Sequence, residues 1–95
     1  MAKSKPFVVV RTYSAGVHMG ELVGHKGTDA VLANARRLWR WKGANTLHEV
    51  ANNGVDEVYS RISEPVTSIA LTDVREVLTA STAGRENLSR SRWGA

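Results

Sequence analysis

Residues 28–41 read TDAVLANARRLWRW, and their secondary structure decides the fold. As a helix, Thr28 would cap the segment, and Val31, Leu32, Ala35, Leu38 and Trp39 would form an apolar stripe at helical spacing. As a strand, it would fold back on residues 17–23 through the glycine-bracketed loop Gly24-His25-Lys26-Gly27. Alanine and arginine both favour helix. The short glycine loop following a strand is a hairpin signal, and the strand is the reading adopted.

Towards the N-terminus, Pro6 to Tyr13 (PFVVVRTY) is rich in β-branched and aromatic residues and opens on a proline, which the first position of a strand tolerates. Ser14-Ala15-Gly16 supplies a turn, and residues 17–23 alternate loosely as a second strand. Towards the C-terminus, Thr46-Leu47-His48-Glu49 has capping-box spacing, in which hydroxyl and carboxylate each satisfy a free backbone N–H. Gly54 stands where a helix-terminating residue is wanted, so a two-turn helix is expected over Thr46–Asn53. That helix is too short to persist alone and has to dock on the sheet. Further strands are expected over 57–62, 66–71 and 74–79, with a terminal helix over about 83–90 behind Ser81-Thr82. Residues 1–5 read as a solvated tail. The expectation is a single α+β domain over 1–95, with a small curved, mainly antiparallel sheet, one short docked helix and a C-terminal helix.

A chain of 95 residues buries roughly 60–65% of its surface on folding, so oligomerisation is a natural supplement to a thin core. The net charge of +4 modestly favours anionic partners. Without cysteine there are no disulfides or thiolate metal sites. No apolar run approaches the ~20 residues of a membrane-spanning helix. The start, MAKSKPFVVV, has too short an apolar run for a secretory signal, and a cytoplasmic protein is expected.

His18, His25 and His48 are widely separated and form no ligand-spaced pair, Glu49 is explained by capping, and neither G-x-G-x-x-G nor G-x-x-x-x-G-K-[ST] occurs. Neither catalysis nor a metal or organic cofactor is expected.

Arg36 to Lys42, RRLWRWK, places four cations and two of the three tryptophans in seven residues without an acid. On a strand, Arg37, Trp39 and Trp41 would share one face, and Arg36, Leu38, Arg40 and Lys42 the other. Guanidinium groups fork onto phosphate and indoles stack on bases. The candidate ligand-binding residues are therefore Arg36, Arg37, Arg40, Trp39, Trp41 and Lys42. The competing reading is packing: large aromatics mostly serve cores and interfaces. Arg85, Arg90, Arg92 and Trp93 repeat the composition at the C-terminus, where a solvated helix with a latching tryptophan is expected.

The run VLANARRLWRWKGANTLHEVANNGV, and within it the pattern N-A-R-R-[LI]-W-x-W-x-G-A at Asn34 to Ala44, resembles a family of small uncharacterised proteins of tailed bacteriophages and prophages. The resemblance implies a virion component, a DNA-handling accessory or an inhibitor of host defence, and it assigns no role to individual residues. Combined with the cation–indole cluster, it leads to the expectation of a homo-oligomeric, non-enzymatic binder of an anionic, nucleotide-like ligand in the host cytoplasm, one able to sequester a signal of host immunity. A virion structural or assembly protein is the alternative, and nonspecific nucleic-acid binding ranks third because +4 is a low charge for it.

Overall fold

The TDAVLANARRLWRW segment is a strand. In the computed structural model, which describes residues 5–94, it lies within β3 (Asp29–Arg40), pairing antiparallel with β2 (Val17–Lys26). The ladder runs out to Lys26↔Asp29, so the turn is only Gly27 and Thr28, shorter than the loop expected over 24–27. Gly27 takes the left-handed φ of 59° that such a tight turn requires. Of the expected tail, residues 1–4 lie outside the described residues.

β1 (Phe7–Thr12) pairs with β2 on one side and with β6 (Val74–Thr79) on the other, while β5 (Val66–Leu71) and the two-residue β4 (Arg61–Ile62) share the far edge of β3. Every ladder is antiparallel. β5 and β6 sit at opposite ends of this order, yet only Thr72 and Asp73 separate them in sequence. Three Cα steps span at most about 11 Å, so the sheet has to curl until its edges nearly meet. Val74 N–H donating to the Thr28 carbonyl and Tyr13 N–H to the Asp73 carbonyl, both at 3.0 Å, fasten that end. β5 and β6 share no ladder, and the sheet stays open.

The curl creates two apolar layers. Val8, Val10, Ala30, Leu32, Ala35, Leu71 and Val74 fill the concave side. Val9, Met19, Leu38 and Ile62 face the other side, where Val50 and Ala51 of α1 (Leu47–Asn53) and Leu88 of α2 (Thr82–Arg90) cover them. β1 is buried on both faces, which accounts for its unbroken FVVV run.

Both helices are capped as their sequences require. The Thr46 hydroxyl accepts from Glu49 N–H at 3.3 Å. The Glu49 carboxylate reaches one residue further back than expected, to Asn45 N–H at 3.0 Å. Ser81 caps α2 by accepting from Gly84 N–H at 3.0 Å. The helices touch closely: a Cβ on Gly84 would lie 2.0 Å from the Ala51 carbonyl oxygen, so only glycine fits there. Asn87 ties α2 to the chain beyond α1, accepting from Val55 N–H at 2.8 Å and donating to the Val55 carbonyl at 2.9 Å. Among the described residues no helix is long and apolar enough to cross a membrane.

The strand expected over 57–62 shrinks to Arg61–Ile62. The Asp56 carboxylate accepts from the N–H groups of Val58 and Tyr59 at 2.9 and 3.0 Å, forming a turn that their β propensity does not overcome.

Candidate functional site

The placement of the RRLWRWK side chains begins two residues upstream. Asn34 has a φ of 50°, the only described non-glycine residue in the left-handed region, and the β2–β3 register shifts beside it. This is a bulge. Leu32 and Ala35, three positions apart, both point into the concave layer, and beyond them Leu38 faces the helices. Gly20 makes the bulge possible, since a Cβ there would sit 2.8 Å from the Ala33 carbonyl oxygen. The Asn34 amide donates to the Glu21 carboxylate at 2.8 Å.

Arg36 consequently turns under α2 and is 9% exposed. Its Nε donates to the Ser63 carbonyl at 2.8 Å, Nη1 to the carbonyls of Leu88 and Ser89 at 3.0 and 3.3 Å, and Nη2 to that of Ser91. The last turn of a helix leaves carbonyls without partners, and this guanidinium serves them. Burial, then the nearby charge of Arg92, pulls the Arg36 pKa below its ordinary value. The expectation that Arg36 grips a ligand phosphate is revised: nearly all its donors are committed to backbone. Its charge is solvated by carbonyls, and among the described residues no carboxylate pairs with it.

Above Arg36 opens a groove of about 790 Å³ between the sheet and α2. Phe7 and Trp93 contribute aromatic walls, Ile62 and Pro65 aliphatic ones, and Arg85 and Arg92 add guanidinium groups from α2 and the segment after it. Arg85 lies over the Phe7 ring, Cζ 5.5 Å from its centroid. Arg92 leans on the end of α2, with Nη1 3.2 Å from the Ser91 carbonyl oxygen. Glu21 and Glu64 also line the groove, Glu21 being engaged with Asn34. Among the described residues the ion pairs are Arg11–Glu76 and Arg90–Glu57, so the three groove arginines have no carboxylate partner. Arg90, grouped with them in the sequence, is held away by Glu57.

The remaining members of RRLWRWK part company. Trp41 does not join Trp39: the register shifts again between Leu38 and Arg40, β3 ends, and Trp41 is half-buried against the helix-side core. Arg37, Trp39, Arg40 and Lys42 are exposed. The chain after α2 returns beside β4, Arg61 bridging to Trp93, which brings Trp93 onto Trp39 with centroids 5.2 Å apart and planes 27° apart. Arg61 lies against both rings, its Cζ 5.8 Å from the Trp39 centroid and 5.4 Å from that of Trp93. Among the described residues its buried Nε finds no hydrogen-bond partner. Arg37 extends over Gly16, near buried His18, whose Nε2 lies 2.9 Å from the Ala15 carbonyl oxygen. Desolvation lowers the His18 pKa from 6.5; the bond to Ala15 opposes this and the Arg37 charge adds to it.

The structure thus brings together Arg36 from the first basic cluster with Arg85, Arg92 and Trp93 from the second, which sequence reasoning had treated as peripheral. Phe7 and Arg61 carried no sequence signal of a site. Residues 5–88, most of the chain, match a family described as a domain of unknown function, DUF6948. No curated protein and no solved structure matches the chain.

Proposed function

Since the chain belongs to the DUF6948 family, whose function its name leaves open, we propose from the site itself that it binds an anionic, nucleotide-like ligand in the groove between α2 and the sheet, without catalysing its turnover. Arg85 and Arg92 would take phosphate oxygens and Trp93 would bear on the base. Arg36 would act through its charge at the groove floor more than through donated hydrogen bonds. The observation that carries this reading is the convergence of three guanidinium groups, none matched by a carboxylate among the described residues, in a cavity with aromatic walls. Its volume falls in the range of roughly 300–1,000 Å³ usual for small-ligand sites. Like charges so placed repel until an anion enters.

The setting rests on the sequence: the resemblance suggests a phage or prophage protein that sequesters a nucleotide signal of host immunity, and the thin core and short apolar start suggest a homo-oligomer in the host cytoplasm. Isothermal titration calorimetry with AMP, ADP, ADP-ribose and cyclic dinucleotides tests the binding. Saturable heat with at least one of them, reduced tenfold or more in Arg85→Gln/Arg92→Gln, is expected, with the ligand recovered chemically intact. Absence of heat across the panel, or equal binding by the double variant, would overturn the reading.

A further inference from the structure

Trp93 belongs to two surfaces. It lines the groove, and it also stacks on Trp39 outside it. Both indoles remain more than half exposed, at 55% for Trp39 and 54% for Trp93. Scattered exposed apolar residues need no explanation, but two adjoining indoles around a guanidinium form a patch of the kind that marks a binding surface. Intramolecular packing does not account for Trp39, whose ring contacts Trp93 and Arg61 while over half of the residue faces solvent.

A mononucleotide seated in the groove would reach Trp93 and stop. Trp39 and Arg61 would lie beyond it, with Arg40 paired to Arg61 across the β3–β4 ladder, and among the described residues neither arginine has a carboxylate partner. A ligand that repeats, with one phosphate and one flat base per unit, would occupy both places. Interleaved aromatics and cations are how proteins hold unpaired strands without reading their sequence. Duplex DNA stacks its bases internally and offers none to an indole. The overall charge of +4 ranks nucleic acid low, but the distribution matters more than the sum: Glu76 and Glu57 are held by Arg11 and Arg90, Glu49 and Asp56 by backbone N–H groups at a cap and a turn, and among the described residues no carboxylate pairs with Arg61 or Arg40.

We infer that the ligand is single-stranded nucleic acid, with one nucleotide anchored in the Arg85–Arg92 groove and the adjoining base stacked on the Trp39–Trp93 pair, its phosphates running past Arg61 and Arg40. This rests on the groove reading for the anchor and goes beyond it in naming a polymer.

Intrinsic tryptophan quenching measures it, using TMP, dT2, dT4, dT8 and an eight-base-pair duplex at fixed salt. Affinity is expected to rise about tenfold or more from TMP to dT4, the worth of one added base–indole stack. The salt dependence should steepen by about 0.7 in log–log slope per added phosphate contact. In Trp39→Ala the ratio of dT4 to TMP affinity should fall towards one, and Trp39→Phe should restore part of it. A flat length series in the presence of TMP binding overturns the polymer inference and leaves the groove reading standing. Binding of dT4 that depends on Trp39 while no mononucleotide binds supports the strand and removes the groove as a small-ligand site. A loss of self-association in Trp39→Ala by sedimentation, with no change in the length series, would assign the indole pair to a second copy of the chain and overturn the inference.

Discussion

The guanidinium of Arg36 donates to the carbonyl of Leu88, 52 residues later in the chain, at 3.0 Å. A side chain from the middle of the sheet thereby terminates the last helix and ties it to β3. Arg36→Met should leave the final carbonyls of α2 without donors and cost roughly 3 kcal/mol, the scale set by leaving buried polar groups unmatched. Arg36→Lys should recover only part, because an ammonium cannot span carbonyls held by a planar fork. Urea unfolding measures both; an Arg36→Met midpoint within error of the parent would show that α2 holds without this contact.

Gly84 is a second point where helix meets helix. Gly84→Ala places a methyl 2.0 Å from the Ala51 carbonyl oxygen, so α1 and α2 have to separate. A loss of about 1–3 kcal/mol is expected, the usual penalty of overpacking, despite the higher intrinsic helix propensity of alanine. A more stable variant would show that the helices move apart at no cost.

Asn34 tolerates its φ of 50° because its side chain is short and finds a partner in Glu21. Asn34→Val should cost about 1–3 kcal/mol as a branched residue forced into the left-handed region. Asn34→Gly should be close to neutral, exchanging the bond to Glu21 for an unstrained backbone. The ranking of the two variants by thermal unfolding is the test, and the reverse order would exclude a backbone origin.

His18 makes stability depend on pH. Its folded pKa lies below 6.5, so between that lower value and 6.5 the unfolded chain binds more protons than the folded one. Stability therefore rises with pH through this window and is lost on acidification. His18→Gln should flatten the slope just below pH 6.5, where carboxylates contribute little, as followed by urea midpoints at half-unit steps. An unchanged slope would place the titration elsewhere.

What could be read in the sequence was what is local. The T-x-x-E box declares the start of α1 within four residues, and the β2–β3 hairpin follows from glycine in a turn. The segment over 57–62 misled because valine and tyrosine suggest a strand, while one aspartate side chain upstream organises a turn. The site was legible in composition but not in arrangement. Adjacent Arg36 and Arg37 are chemically identical in the sequence, and their separate fates depend on Gly20, a partner in another strand. The approach of Arg85 and Arg92 to Arg36 depends on the whole path of the chain between them.

The extra residue in β3 behaves like a gear slipped by one tooth. The bulge absorbs the odd count, so Leu32 and Ala35 share a face and Arg36 falls towards α2; were the same residues drawn into a regular strand, Arg37 would face α2 and Arg36 would turn away. Which of two neighbouring arginines becomes a fastener and which stays free for company is thus settled by whether the strand bulges here, not by the chemistry of either side chain.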